Sequence, residues 1–256
     1  MKIKMPPSVN MVIDSLHAKG FEAYAVGGCV RDTILAREPD DWDITTSASP
    51  QQVKEIFDRT VDTGLEHGTV TVLAGSGAHE VTTYRIDGEY EDGRHPKEVV
   101  FTSSLAEDLR RRDFTINALA VCLNKARFGE LVDPFGGIND LKEKVIRTPL
   151  DPDITFSDDP LRMMRCIRFA TQLGFYIDDN TFESLCRNCE RIKIISRERI
   201  ADELNKIILS PVPSKGFIDL ERSGLLPLIF PELAALQGVE TRNGRAHKDN
   251  FYHTLE

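Results

Sequence analysis

The chain has 256 residues, 41% hydrophobic and 29% charged, which suffices for a sizeable core and more than one domain. Its 41 acidic against 32 basic residues give a net charge of −9, which excludes a uniformly basic nucleic-acid coat protein; any RNA contact needs a local cationic surface. No apolar run approaches the roughly 18 residues of a membrane helix, Met1 to Pro7 lacks a signal-peptide core, and five scattered cysteines make no disulfide framework. A cytoplasmic protein without a membrane partner is expected.

Ser8 to Lys19 reads as an amphipathic helix with Ser8 as N-cap after Pro6-Pro7. Strands are expected at about Glu22 to Val26, Trp42 to Thr45, Thr69 to Leu73 and Val81 to Arg85, with a helix from Pro50 to Phe57 capped by Ser49. This is a small mixed sheet with helices on it. Between the first strand and the next helical stretch stands Gly27-Gly28. A strand, a tight turn and a helix start offer free backbone N–H groups to a phosphate. Gly28 is singled out because a bare backbone lets a ligand approach closely, and Arg31 can add charge-assisted bonds. Asp41 and Asp43 alternate around Trp42, so period-2 geometry puts both carboxylates on one face. Glu80, on a later strand, is either a third carboxylate for the same site or a surface salt-bridge partner.

Asp87 to Pro96 is polar and punctuated by glycine, as a surface loop is. Leu105 to Leu119 reads as one helix carrying Arg110-Arg111-Arg112, anchored by Phe114, Ile116 and Leu119, and Val132 to Gly137 as a strand and turn. From about Pro149 the pattern turns wholly helical, with helices at Asp158 to Leu173, Thr181 to Arg187, Arg197 to Leu209 and Ser214 to Ser223. Asp159 is the expected N-cap of the first, ahead of Pro160. On that helix Arg162, Arg165 and Arg168 form one stripe, and Met163, Ile167 and Ala170 fill the opposite side. Amphipathicity alone accounts for the aspartate but not for three arginines in a row along one face. Cys186-x-x-Cys189 has zinc-like spacing but no second pair.

Four motifs in this order carry a resemblance. They are Gly27-Gly28-x-Val30-Arg31-Asp32, Asp41-x-Asp43-Ile44-x-Thr46, Arg111-Arg112-Asp113-Phe114-Thr115-x-Asn117-Ala118, and Asp158-Asp159-x-x-Arg162-x-x-Arg165-x-x-Arg168-Phe169. Together they resemble the class II nucleotidyltransferases, the CCA-adding enzymes and bacterial poly(A) polymerases related to DNA polymerase β. The family usually has Glu at the position of Asp158.

The resemblance implies an α+β fold: a polymerase β-like head over residues 1–148, then an all-α neck and body. Within the latter it implies a nucleobase-reading neck at 149–210, the start of an RNA-binding body at 211–246, and at 247–256 the opening of an HD-type domain. It implies template-independent addition of C, C and A from CTP and ATP to the tRNA 3′ end. Asp41 and Asp43 would be catalytic and would hold two Mg²⁺ ions, with Glu80 a further metal ligand. Gly28, Arg31, Arg112, Asp113, Asp159, Arg162, Arg165 and Arg168 would bind the nucleotide, with Asp32 buttressing the turn and Asn117 shaping the sugar pocket. Asp159 and Arg162 match the base-reading pair. Cytosine and adenine both show an exocyclic amino donor beside a ring-nitrogen acceptor, which a carboxylate and a guanidinium can read together. The loop Asp87-Gly88-Glu89-Tyr90-Glu91-Asp92-Gly93-Arg94 resembles one found in relatives that add the terminal adenosine.

A poly(A) polymerase or an adenosine-only tRNA enzyme would share the fold. Polymerases tend to carry two basic residues and Phe after the glycine, where this chain reads Gly64-Leu65-Glu66-His67-Gly68. A non-catalytic RNA- or nucleotide-binding module is the alternative from another class, and paired carboxylates argue against it. A metal phosphohydrolase would rest on His247 and His253 alone.

Overall fold

The computed structural model describes residues 5–75, 77–88, 99–238, 241–242, 245–246 and 249–255. They form two compact units, the first ending at Glu143 and the second running on from Lys144. The loop at Glu89 to Pro96 and the tail residues His247 and Lys248 lie outside the described residues.

The first unit opens with α1 (Pro7–Ala18), whose Val9, Val12, Ile13 and Leu16 form the buried i, i+3, i+4, i+7 stripe. Its cap is Pro6 rather than Ser8, because Pro7 already has the backbone angle of a first helical residue. The Ser8 hydroxyl instead meets His79 Nε2 at 2.8 Å. β1 (Ala23–Val26), α2 (Gly28–Ile34), β2 (Ile44–Thr46) and α3 (Pro50–Ile56) follow. Ser49 caps α3 in a reciprocal box with Gln52, as its sequence position predicts. β3 (Thr60–Gly64), β4 (Thr69–Ala74) and β5 (Gly77–Thr83) come next, then a separate ribbon of β6 (Arg85–Asp87) and β7 (Val99–Phe101). α4 (Leu105–Arg110), β8 (Ala120–Val121), β9 (Leu131–Val132) and α5 (Gly137–Glu143) complete the unit.

The sheet is mixed, as expected, with the order β3-β4-β5-β2-β1-β8-β9; β2 and β5 run parallel and the other neighbours antiparallel. Alternation sorts its side chains. Val70, Val72 and Val81 are buried, and α1 and α3 pack on β4. Thr71, Glu80 and Thr82 project from the other face and stay accessible. A cluster of Tyr24, Val26, Tyr84, Leu109, Ala118, Ala120 and Cys122 closes the core near α4.

The expected helix from Leu105 to Leu119 stops at Arg110. Phe114 is extended (φ −135°, ψ 151°), and a short 3₁₀ turn, Thr115–Asn117, precedes β8. The Asp113 carboxylate accepts from the Phe114 N–H at 2.9 Å and from Asn117 Nδ2 at 3.0 Å, replacing helix hydrogen bonds with side-chain ones. Gly137 is obligatory for what packs there: an added Cβ would stand 2.2 Å from the Thr115 carbonyl oxygen. The second strand likewise begins at Ile44, not Trp42.

The second unit is helical but not wholly so. β10 (Val145–Ile146) pairs in parallel with β11 (Tyr176–Ile177), and Thr241–Arg242 pairs with Arg245–Ala246. Its main helices are α6 (Pro152–Asp158), α7 (Leu161–Leu173), α8 (Asp179–Asn188), α9 (Arg197–Ile208) and α10 (Pro213–Arg222). The helix expected from Asp158 thus begins only at Leu161, with Pro160 rather than Asp159 as its N-cap, and a separate helix, α6, precedes it. Asp159 precedes Pro160, which disfavours helical angles there, and it is extended at φ −134°, ψ 99°. Gly216 lets α10 approach closely; a Cβ there would lie 2.6 Å from Ile207 Cγ2 on α9 and 2.7 Å from Thr171 Oγ1 on α7.

Candidate active site

In the first unit the chain leaves β1 through Gly27, at φ 78° and ψ −129°, a conformation that only glycine adopts cheaply. Its N–H donates to the Leu119 carbonyl at 3.0 Å, and its carbonyl accepts from the Arg31 N–H at 3.1 Å. Arg112 Nη1 lies only 3.0 Å from where a Cβ on Gly27 would stand, so a guanidinium is laid against the bare turn. Gly28, the glycine singled out from the sequence, has no such crowding; a Cβ there would meet Arg31 Nη2 at 3.8 Å.

Asp41 and Asp43 sit just ahead of β2 and are both exposed, flanking a Trp42 that is 6% exposed. The Asp43 carbonyl accepts from the Val26 N–H at 3.0 Å, which extends the pairing of β1 and β2 by one step. In the parallel pair, Ile44 lies opposite Val81. One residue back, the same register sets Asp43 beside Glu80. The electrostatics agree with that placement. Although the Asp43 residue reaches solvent, desolvation of its carboxyl beside the cavity pushes it up, Arg112 pulls it down and Asp41 pushes it up again. Glu80 is raised by burial, then by Asp43 and by Asp41. Three carboxylates that repel one another form an anionic edge.

Facing that edge is a cationic wall. Asp43, Glu80, Thr82, Arg85, Arg111 and Arg112 border one polar cavity of about 200 Å³. Asp108, fully buried, organises the arginines: its Oδ1 accepts from Arg111 Nε at 3.0 Å and Nη2 at 2.8 Å, while Arg112 Nη2 stands 3.5 Å from Oδ2. Thr45 Oγ1 donates to the same Oδ2 at 3.1 Å. Burial pushes the Asp108 carboxyl up, but Arg111, Arg112 and these hydrogen bonds outweigh it and hold it below the usual range. Asp87 adds a second anchor, 2.8 Å from Arg85 Nε and 3.7 Å from Arg111 Nη1. Arg112 Nε is buried with no hydrogen-bond partner among the described residues.

Arg31, expected at a phosphate, is bound up within the protein. It is 9% exposed, forks onto Asp32 at 2.9 and 2.8 Å, and gives Nη1 to Asn117 Oδ1 at 2.7 Å. Asn117 in turn donates to Asp113. The chain Asp32–Arg31–Asn117–Asp113 thus braces the glycine turn from behind.

The donor set fits a hard divalent cation. Among the described residues no three His, Cys, Asp or Glu side chains stand close enough to enclose a metal by themselves. Asp41 and Asp43 offer the one or two carboxylates with which Mg²⁺ is usually held, its remaining positions going to water and phosphate.

In the second unit, Arg162, Arg165 and Arg168 are half-buried along α7 while Met163, Ile167 and Ala170 are buried. Arg168 Nε pairs with Glu203 at 2.6 Å, and its guanidinium lies 4.0 Å over the Phe169 ring. Asp159 Oδ1 accepts from the Leu161 N–H at 3.1 Å, and its Oδ2 accepts from Arg199 Nη2 at 3.2 Å. A groove of about 670 Å³ runs between α8 and α10. There Lys215 Nζ stacks 5.0 Å from the ring of the exposed Tyr176, and Arg222 lies 5.3 Å over Phe182.

Sequence reasoning passed over Gly27, Asp108 and Arg199. A glycine followed four residues later by its helix's first arginine was the available signal for Gly27. Asp108 and Arg199 gave none, since each acts on residues that only the fold brings near.

Residues 23–147 match the family described as the poly A polymerase head domain, and residues 174–237 that described as a probable RNA and SrmB- binding site of polymerase A. The CCA-adding enzyme of Anoxybacillus flavithermus is 48% identical over 223 residues, covering 87% of this chain and 55% of that protein. The Bacillus stearothermophilus CCA-adding enzyme in complex with CTP superposes with a TM-score of 0.78 at 39% identity, over 86% of this chain and 53% of that one. A tRNA nucleotidyltransferase complexed with a primer tRNA and an incoming ATP analogue gives 0.70 at 30% identity, over 88% and 67%. The chain therefore spans about half the length of the first two.

Proposed function

Because the chain belongs to the family of CCA-adding enzymes and poly(A) polymerases, we propose that it adds C, C and A to the 3′ end of tRNA from CTP and ATP, without a template. The observation that carries this reading is the meeting, around one cavity, of the Asp43 and Glu80 carboxylates with the Arg112 guanidinium laid on Gly27. A triphosphate needs both signs of charge at once: carboxylates for its cation and guanidinium groups for its oxygens.

Asp41 and Asp43 would hold Mg²⁺. When bound, such ions would stabilise charge on the attacking and leaving oxygens of an in-line displacement. Glu80 adds negative potential beside them and is placed for an outer role. The Gly27-Gly28 backbone admits the phosphates, and Arg112 and Arg111 face the charge that grows on the leaving pyrophosphate. Arg31 acts through position: it locks Asp32 and Asn117, and so the turn. Asp113 fixes Asn117, and together they shape the floor beside the turn. Just ahead of α7, Asp159 would accept from the exocyclic amino group of cytosine or adenine, and Arg162 on α7 would donate to the ring nitrogen. Uracil and guanine present the opposite pattern and would leave both groups unpaired, at about 1–3 kcal/mol each. Arg165 and Arg168 would be further nucleotide contacts on the same stripe. The groove bearing Tyr176, Lys215 and Arg222 also carries Asp179, Glu183 and Asp219, so its charge does not by itself favour RNA; the RNA-binding reading of this unit rests on the family match over residues 174–237.

The test is incubation with Mg²⁺, labelled CTP or ATP, and tRNA ending at the discriminator base. Ordered C, C, A supports this reading; unlimited A would make the protein a poly(A) polymerase, A alone after CC an adenosine-only enzyme. Nucleotide binding without incorporation by wild type, and no change in that binding on Asp41→Ala, would reduce it to a binding module.

A further inference from the structure

We infer that Arg199 is a positioning residue for nucleobase selection, acting through Asp159; this rests on the reading of Asp159 as the acceptor for the base. Asp159 has two oxygens with different duties. Oδ1 accepts the Leu161 N–H and starts α7, which any acceptor at that position could do. Oδ2 is held by Arg199 Nη2 at 3.2 Å, from a helix 40 residues further along the chain. The single local bond, from the Leu161 N–H to Oδ1, leaves the plane of the Asp159 carboxylate free to turn about it. Arg199 supplies that constraint, and it leaves the remaining lone pairs of both oxygens to a ligand.

Helix α9 is built to deliver this contact. Ser196 caps it, accepting from the Arg199 N–H at 3.4 Å, so Arg199 sits in the rigid first turn rather than in a fraying end. Four residues on, on the same face, Glu203 is buried and pairs with Arg168 of α7 at 2.6 Å. The two pairs have opposite polarity, cation to anion and anion to cation. They fix the register of α9 along α7, so the Arg199 guanidinium cannot slide away from Asp159. Arg199 is 23% exposed and Asp159 17% on their side chains, open enough to meet a ligand and buried enough for the bond to persist.

The experiment measures dissociation constants for CTP and UTP with Mg²⁺, together with melting temperature, for wild type, Arg199→Met, Arg199→Lys, Asp159→Ala and the double variant Arg199→Met/Asp159→Ala. Arg199→Met should lower the CTP-over-UTP preference about tenfold, the scale of one charge-assisted hydrogen bond. Arg199→Lys should recover part of it. In the Asp159→Ala background the same change should cost nothing further. Arg187→Met serves as the structural control. It removes a guanidinium–carboxylate clasp of 3.1 Å, to Asp153, and should leave the preference unchanged. If Asp159→Ala relaxes selectivity while Arg199→Met does not, the role given to Arg199 is overturned and the base-reading aspartate stands. If Arg187→Met relaxes it as much as Arg199→Met, general loosening is the cause and the inference falls. Unchanged selectivity in Asp159→Ala overturns both.

Discussion

Gly27 and Gly28 are neighbours in one turn, yet alanine should do opposite things at the two positions. At Gly27 the backbone is at φ 78°, where an L residue carries about 1–3 kcal/mol of strain. The new Cβ would also stand 3.0 Å from Arg112 Nη1, so the guanidinium must move off the turn. For a chain of this size 1 kcal/mol corresponds to about 2–4 °C in Tm, so Gly27→Ala should melt about 2–12 °C below wild type. Nucleotide affinity should fall with it. At Gly28, the first residue of α2, the nearest atom to an added Cβ is 3.8 Å away, an ordinary contact. Alanine is up to about 1 kcal/mol better than glycine in a helix, so Gly28→Ala should melt at or slightly above wild type. Its nucleotide binding should nonetheless weaken, because the methyl occupies the approach of the phosphate. Thermal scans with and without Mg²⁺·CTP read both effects. Gly27→Ala melting with wild type, or Gly28→Ala falling as far as Gly27→Ala, would refute this account of the turn.

The anionic edge should weaken the ligand-free protein. The Asp43 and Glu80 carboxyls are raised in the folded state, first by burial, so folding favours their protonated forms and stability drops as pH rises from the ordinary carboxylate range through those raised values. Asp43→Asn and Glu80→Gln should therefore raise the Tm at pH 7, with the gain vanishing in acid; a gain that persists below the ordinary carboxylate range would be evidence against the repulsion. Asp108 has the other sign. Its depressed carboxyl stabilises the fold above the ordinary range, and that contribution is lost as pH falls through the depressed value. Asp108→Asn removes the buried carboxylate shared by Arg111 and Arg112, leaving Arg111 its longer contact to Asp87, and urea midpoints should report a loss of about 3–5 kcal/mol. Gly137→Ala would force a Cβ to within 2.2 Å of the Thr115 carbonyl, backbone against backbone, and should lose at least about 2 kcal/mol by the same measurement.

Much of this was legible in the residues because it is local. The capping box at Ser49 and Gln52, the apolar stripe of α1 and the arginine stripe of α7 each depend on spacing that a helix converts directly into geometry. The failures have one physical origin. Leu105 to Leu119 has good helix formers, but the Asp113 side chain takes over the hydrogen bonds that would have continued the helix. Nothing in spacing announces that exchange. Nor could spacing show that Arg31 pairs with Asn117, 86 residues distant. Asp108 was hidden within the helix expected from Leu105 to Leu119, though it is the residue on which the cationic wall is assembled.

The parallel pairing of β2 with β5 ties evolution's hands in one respect. Val81 and Glu80 are adjacent in the chain and point to opposite sides, one into the hydrophobic interior and one toward Asp43. Gaining or losing a single residue ahead of position 80 in that strand would exchange them, sending a carboxylate inward and a valine outward. Length variation among relatives is therefore expected to collect in the connections between strands, and the spacing from Asp43 across to Glu80 to be inherited as a unit with the hydrophobic interior behind it.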